Sequence, residues 1–330
     1  MPRVQFLGTG NAFSPHGRMH ALVLIDGKIL VDAPPTLLPQ LRRTGISSDE
    51  IEHLLFTHWH ADHMFGFPFF ILERKVVSNA ENPLNVYLRP GGKEILSNLS
   101  HVGFPGSLNE VLKDDINWLE NESGEIENSD WSYERFQVVH TPETDPHGYM
   151  LTHKSGFKLL HCGDSGPCKE IEDRAAEANV ILIEMGVPDF VDSPNHHNPR
   201  QVNSLAERQP HATILVTHNY SNAVNQEGGF PTPKLNDGII QLEDRDELII
   251  EENGIHVTSP IVGTAYLAPE PGSKPFVEAG QKIKKGQTIL IVEAMKTMNH
   301  VPSTLDGTVN KILVKDGEPV EFGQPLVSIK

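Results

Sequence analysis

Short apolar runs bounded by turn residues dominate the first part of the chain. Arg3–Leu7, Leu22–Ile25, Lys28–Val31, His53–Thr57 and Asn85–Leu88 read as strands. Glu134–His140, Tyr149–His153, Phe157–Cys162, Val180–Glu184 and Thr213–Thr217 continue the set. Amphipathic stretches over Pro35–Thr44, Lys169–Ala178 and Pro199–Glu207 predict helices. Strands and helices mixed over such a length predict a layered α/β domain. An acidic stretch follows, from Glu243-Asp244-Arg245-Asp246-Glu247 to Glu251-Glu252-Asn253-Gly254. It predicts a junction over 243–256, with a front domain at 1–242 and a second domain at 257–330.

The pattern after residue 257 is different, because it repeats. Val277-Glu278-Ala279-Gly280 and Gly286-Gln287 recur 37 residues later as Val314-Lys315-Asp316-Gly317 and Gly323-Gln324. Gly263-Thr264 recurs as Gly307-Thr308 at an offset of 44, so the first half carries seven extra residues. The Pro-rich stretch Ala268–Lys274 accounts for them. Two similar halves of short strands predict a small, all-β, pseudo-twofold sandwich whose glycines mark the turns.

Length and composition agree with a large domain plus a small one: 330 residues, 38% hydrophobic and 22% charged. No apolar run reaches the length of a membrane span, and the N-terminus reads as a first strand rather than a signal peptide. Two cysteines, Cys162 and Cys168, match no zinc knuckle or redox pair. These features predict a cytoplasmic protein with reduced thiols. The net charge is −17. Residues 257–330 hold 8 Lys against 7 Asp and Glu, so the first 256 residues carry −18. Such a surface repels a phosphate backbone and argues against nucleic acid as partner.

The chemistry of the front domain concentrates at Thr57-His58-Trp59-His60-Ala61-Asp62-His63. Four metal-ligating side chains within six residues follow an apolar strand. Neutral imidazole and ionised carboxylate are the forms that bind a cation, and both prevail at neutral pH. This stretch resembles the signature of the metallo-β-lactamase fold family. Met64-Phe65-Gly66-Phe67-Pro68, Leu7-Gly8-Thr9-Gly10-Asn11-Ala12 and Leu30-Val31-Asp32-Ala33 resemble its tRNase Z-like and cyclic-phosphodiesterase branch. The resemblance covers about residues 3–240 and implies an αββα sandwich with two metal ions, zinc foremost and Mn2+ or Fe2+ as alternatives. It implies His58 and His60 on the first metal, Asp62 and His63 on the second, and Asp164, in His161-Cys162-Gly163-Asp164-Ser165, between them. His218 would complete the second site. For the third ligand of the first metal, His140 is favoured and His147 is its rival. Glu184 and His197 would form a proton-donating pair, with Asp62 as a further catalytic group. Asp32 reads as structural, and His16, His20 and His161 have no assigned role. Two cations about 3.5–4 Å apart suit hydrolysis of a phosphodiester, ester or thioester. The acidic balance favours a small-molecule substrate, and the resemblance to the tRNase Z-like branch implies a phosphodiesterase.

The second domain centres on Val292-Glu293-Ala294-Met295-Lys296-Thr297-Met298-Asn299. Lys296 falls between the two repeated halves, where a hairpin tip would expose its amine. The segment Val257–Lys330 resembles the biotinyl carrier domain of acetyl-CoA carboxylase. Glu293-Ala294-Met295-Lys296 matches the biotinylation motif, Thr297 departs from it mildly, and the Pro-rich insertion matches the carrier's thumb. The resemblance implies biotin on Lys296, a biotin protein ligase that attaches it, and biotin carboxylase and carboxyltransferase subunits that load and unload carboxyl groups for fatty-acid synthesis. The combined expectation is a bifunctional, homo-oligomeric protein: a metal hydrolase joined to a biotin carboxyl carrier. A carrier whose front domain only docks, or an ester or thioester hydrolase, are the alternatives.

Overall fold

The computed structural model describes every residue except Met1, Asn79, Glu252, Asn253, Pro271, Met295, Lys296, Leu305 and Lys330. The chain divides into two units, Val4–Glu247 and, with the first three residues, Leu248–Lys330. Among the described residues no helix is long and apolar enough to cross a membrane.

In the front unit, β1 (Arg3–Gly8), β2 (Leu22–Ile25), β3 (Ile29–Val31), β4 (His53–Leu55), β5 (Leu84–Tyr87) and β6 (Ile116–Leu119) lie side by side in that order. The first three pair antiparallel and the last four parallel. A second sheet holds β7 (Ser123–Glu125), β8 (Trp131–Gln137), β9 (His147–His153), β10 (Lys158–His161), β11 (Val180–Met185), β12 (Thr213–Asn219) and β13 (Ile239–Gln241). Its strands run antiparallel from β7 to β10 and parallel from β10 to β13. Strands β2, β3, β4 and β11 are buried along their whole length. That explains their continuous apolar runs, where a half-exposed strand would alternate.

Helices α1 (Leu37–Thr44), α2 (Ala61–Met64), α3 (Phe67–Glu73), α4 (Gly92–Gly103) and α5 (Asn109–Asp114) follow the first sheet's strands. Helices α6 (Lys169–Ala175) and α7 (Pro199–Arg208) follow those of the second. Leu37, Leu41, Phe67, Phe70, Ile71 and Leu96 pack with Leu24, Leu30 and Leu54 of the first sheet into one apolar cluster. Ile171, Ala175, Val202 and Leu205 pack with Leu160, Ile181, Ile183 and Val216 into another. The fold is the expected metallo-β-lactamase-type sandwich of two mixed sheets with helices. Helices α3, α4 and α5 lie outside the stretches expected to be helical. Helix α4 buries only Gly92, Leu96 and Ser100, and two of these are not apolar.

The acidic stretch expected as a junction begins inside the front unit. Glu243 forms an ion pair at 2.8 Å with the buried Arg18. Asp244 accepts hydrogen bonds from the Thr9 amide (2.9 Å), the Thr9 hydroxyl (2.8 Å) and the Met19 amide (2.7 Å). These two carboxylates hold the loop that leaves β1, which is why their charge marks an anchor rather than a free linker.

In the second unit the repeat becomes two antiparallel sheets. Lys282–Ile283, Gly307–Ile312, Pro325–Ile329 and Gly254–Thr258 form one. Glu318–Val320, Gly263–Tyr266, Thr288–Ala294 and Thr297–Pro302 form the other. The halves exchange equivalent bonds. The Gly286 amide donates to the Ser303 carbonyl and the Gly323 amide to the Ser259 carbonyl, each at 2.8 Å. Repeat-related Gly280 and Gly317 have φ of 87° and 77°, and Gly286 and Gly323 have 83° and 78°. A side chain there would be strained, so glycine recurs at the same places in both halves. Ala294 pairs with Thr297 at the end of the central hairpin. Lys296, expected as the carrier lysine, lies between them and outside the described residues.

Candidate metal centre

The loop between β4 and α2 delivers the first imidazoles. His58 Nε2 lies 3.1 Å from His60 Nδ1, and His140 Nε2 lies 3.0 Å from the same atom. The other nitrogens of two of these rings are engaged. His58 Nδ1 is 3.1 Å from the Thr57 hydroxyl, which itself donates to Asp32. His140 Nδ1 donates to the Asn195 carbonyl at 2.9 Å. With the Nδ1–H groups so committed, His58 and His140 both turn lone pairs toward His60. One N–H from His60 cannot satisfy both, whereas a cation between the three nitrogens would.

Asp62, His63, Asp164 and His218 form the adjoining group, their ligand atoms lying within 4.8 Å of one another. His218 Nε2 is 3.2 Å from Asp62 Oδ2 and 3.2 Å from Asp164 Oδ2. Asp164 Oδ2 is also 3.5 Å from His63 Nε2 and 3.9 Å from His58 Nε2. One oxygen therefore faces both groups. Asp164 follows β10 through Gly163, whose φ of 63° and closeness to the His147 carbonyl leave no room for a side chain. His218 itself takes a φ of 46°, a strained value for a histidine.

Asp32 does more than its structural reading suggested. It accepts from the Thr57 amide and hydroxyl, each at 2.8 Å, and from His63 Nδ1 at 2.8 Å. It thereby fixes which nitrogen of His63 faces Asp62 and Asp164.

Charge fits the same pattern. Burial, reinforced by the neighbouring His63, pushes His58 well below the ordinary histidine value. Burial opposes ionised Asp164, yet His218, His63 and His58 hold it well below the carboxylate range. Burial likewise opposes charge on His63, but Asp164, Asp32 and Asp62 raise it well above its usual value. A proton on His63 supplies positive charge that these carboxylates require, and a cation would displace it. The chemistry of both donor sets thus fits divalent metal ions.

Three other sequence-predicted residues fall out differently. His147 is buried, but its Nδ1 faces the Asp145 carbonyl at 2.7 Å and it joins no ligand cluster among the described residues. Glu184 does pair with a histidine, but with His196 rather than His197. Its Oε1 lies 3.1 Å from His196 Nδ1 and accepts the His197 amide at 2.8 Å. The His197 ring turns inward instead, with Nδ1 2.6 Å from the Ser165 carbonyl. Neighbouring side chains on an extended loop point to opposite sides, so the histidine that meets Glu184 turns the next one away. His196 also lies within ligand distance of His140, Asp164 and His218. The loop that carries it is pinned at Gly166, where a Cβ would collide with the Pro194 carbonyl. Of the unassigned histidines, His20 lies between the Ser14 and Thr36 hydroxyls, His16 bonds the Glu227 carbonyl, and His161 accepts the Gly163 amide.

Burial alone would lower His196, but the hydrogen bond and charge of Glu184 outweigh it and raise the ring to about 9. In chelator-treated protein, an NMR titration should find His196 protonated up to about pH 9. Its folded value exceeds the unfolded 6.5, so the stability it contributes is complete below pH 6.5 and is lost as pH rises through about 9. Glu184→Gln should bring the titration back toward or below 6.5. An unchanged titration would mean that Glu184 does not control this ring.

Comparison with known proteins agrees with both units. Residues 2–231 match the family described as Anti-Pycsar protein Apyc1, and residues 255–329 match that described as biotin-requiring enzyme. The biotin carboxyl carrier protein of acetyl-CoA carboxylase from Streptococcus pyogenes is 40% identical over 134 residues, covering 40% of this chain and 80% of that protein. Its Pseudomonas aeruginosa counterpart is 56% identical over 77 residues, 23% of this chain and 49% of its own length. This chain thus spans most of the first and about half of the second. The front unit resembles human tRNase Z, short form, at a TM-score of 0.55 and 20% identity over 76% of this chain and 99% of that one. A diphosphatase from the PhnP family gives 0.56 and 19% over 76% and 98%. These two likenesses are of fold. The chain belongs to the Anti-Pycsar protein Apyc1 family through its metallo-β-lactamase-fold front domain, to which it joins a biotin carboxyl carrier domain like that of acetyl-CoA carboxylase.

Proposed function

We propose that the front domain hydrolyses a small phosphodiester of the cyclic-nucleotide class, and that the second domain carries carboxyl groups on biotinylated Lys296. His58, His60 and His140 hold one divalent cation, Asp62, His63 and His218 a second, and Asp164 serves both. Zinc suits this mixture of imidazole and carboxylate. The observation that carries the reading is the convergence of three imidazole nitrogens beside an Asp164 oxygen that faces both groups.

Two such cations would supply Lewis acidity and an activated water for attack on phosphorus. The chain's own residues do the rest. Asp32 and the Asn195 carbonyl fix the orientation of His63 and His140. His196, held by Glu184, is placed to protonate the departing oxygen, and the charge of Glu184 keeps that proton available at neutral pH. The likeness to the tRNase Z-like and cyclic-phosphodiesterase branch supports a phosphodiester, and the charge of −17 supports a small substrate over a polynucleotide.

For the carrier domain, the identity to acetyl-CoA carboxylase carriers supports biotin protein ligase, biotin carboxylase and carboxyltransferase as partners. Attachment of biotin converts the lysine ammonium to a neutral amide, so the arm can enter a partner's active site without burying a charge.

Asp164→Ala should lower kcat/KM on a cyclic nucleotide or a bis-aryl phosphate by at least about 100-fold, roughly 2.7 kcal/mol of barrier. Wild-type protein that leaves phosphodiesters intact while cleaving thioesters would make an acyl-ester hydrolase the better reading. Intact-mass spectrometry after co-expression with a biotin ligase should show one biotin per chain. Lys296→Arg keeps the charge but cannot form the amide, so it should abolish streptavidin capture and leave hydrolysis unchanged. An unmodified mass, or a lipoyl adduct, would overturn the carrier assignment.

A further inference from the structure

A metal-bound histidine almost always donates its second ring N–H to a fixed partner, which sets its tautomer and orientation. His63 has Asp32, His140 has the Asn195 carbonyl, and His58 has Thr57. His218 is different. Its Nε2 faces Asp62 and Asp164, but its buried Nδ1 meets no partner among the described residues. One residue earlier, the Thr217 hydroxyl is also buried and without a partner among the described residues.

Both residues line the same internal cavity, together with Asp32, His63, His161, Asp164 and Glu184. It has room for about one water-sized sphere, ≈ 10 Å³, close to the least that holds a single ordered water. Thr217 is the register partner of Glu184 across β11 and β12. Glu184 Oε1 already accepts from His196 and from the His197 amide, whereas among the described residues Oε2 accepts only the Gly186 amide. A carboxylate oxygen accepts two hydrogen bonds, so Oε2 has one to spare.

We propose that one buried water joins His218 Nδ1, the Thr217 hydroxyl and Glu184, and that Thr217 is thereby a positioning residue for the metal centre. The water accepts the His218 Nδ1–H and donates to the Thr217 hydroxyl and the Glu184 carboxylate. His218 is left with its Nε2 lone pair directed at Asp62 and Asp164, the form a cation requires. The same water ties this ligand to the Glu184–His196 pair, so the proton donor and the second metal site share one hydrogen-bonded support. Three polar partners in a cavity of this size are what a buried water ordinarily has. The inference rests on the metal reading above, because only a ligand's orientation gives the bond its purpose.

The test uses the full-length chain and zinc itself. Thr217→Val keeps the shape of the side chain and removes the hydroxyl, and Thr217→Ser restores it. Zinc affinity is measured by competition with a chelating dye, and ligand geometry by the visible spectrum of the cobalt-substituted protein. T217V should weaken the metal that His218 helps to hold by about 10–100-fold and change the cobalt spectrum, while T217S stays close to wild type in both. Equal affinities and spectra for wild type and T217V would overturn the proposal while leaving the metal reading intact. So would a T217S variant as weak as T217V. Wild-type protein that binds no metal would overturn the metal reading and this proposal together. A crystal structure of the wild type gives a check that needs no variant to fold. A water within hydrogen-bond distance of Thr217 Oγ1 and His218 Nδ1 is expected, and clear density without one would sink the idea.

Discussion

The Asp164 carboxylate stands where the two halves of the metal centre meet, and the surrounding structure is arranged to keep it there. It is buried, faces His58, His63 and His218, and stays ionised because those imidazoles outweigh its loss of water. A buried carboxylate without compensating charge is costly, so the loops at this edge must bring positive or metal-bound groups to it. They come from far apart in sequence. The β4–α2 loop supplies His58 and His60, helix α2 supplies Asp62 and His63, the loop after β8 supplies His140, and the end of β12 supplies His218. Strands β4, β10 and β12 are buried along nearly their whole length, which gives the loops a rigid base.

Behind these ligands stands a second layer of hydrogen bonds. Asp32 reaches His63 directly and His58 through Thr57. Asn195 holds His140, and Glu184 holds both His196 and the backbone of the loop that carries it. Gly166 lets that loop approach closely enough for the Asn195 carbonyl to reach His140. Orientation of the His58, His63 and His140 rings is thus set by partners that are not themselves candidate ligands, as in other metal sites.

How much of this is legible in the sequence depends on whether a feature is local. The His58–His63 cluster is readable because its spacing is contained in one short segment, and the carrier repeat because each half writes out the same turns. Choosing His140 over His147 needs the register of β8 and β9, since both histidines sit near strand ends. The pairing of Glu184 with His196 rather than His197 turns on which of two adjacent rings faces inward, and composition and spacing are silent on that. Asp32 looks structural in isolation because its partners, Thr57 and His63, lie on another strand's loop. Thr217 carries no sequence signal at all: a threonine in an apolar strand is ordinary until its hydroxyl is found buried beside His218 and Glu184.

The most direct test of the account is metal stoichiometry. Full-length chain stripped with a chelator would be dialysed against buffered zinc and analysed for metal at saturation, with proton release followed in parallel. Two zinc ions per chain, with protons released as His63 gives up its charge, is the result that the buried imidazole–carboxylate cluster predicts. Folded protein holding less than one zinc per chain, with no proton released, would contradict it.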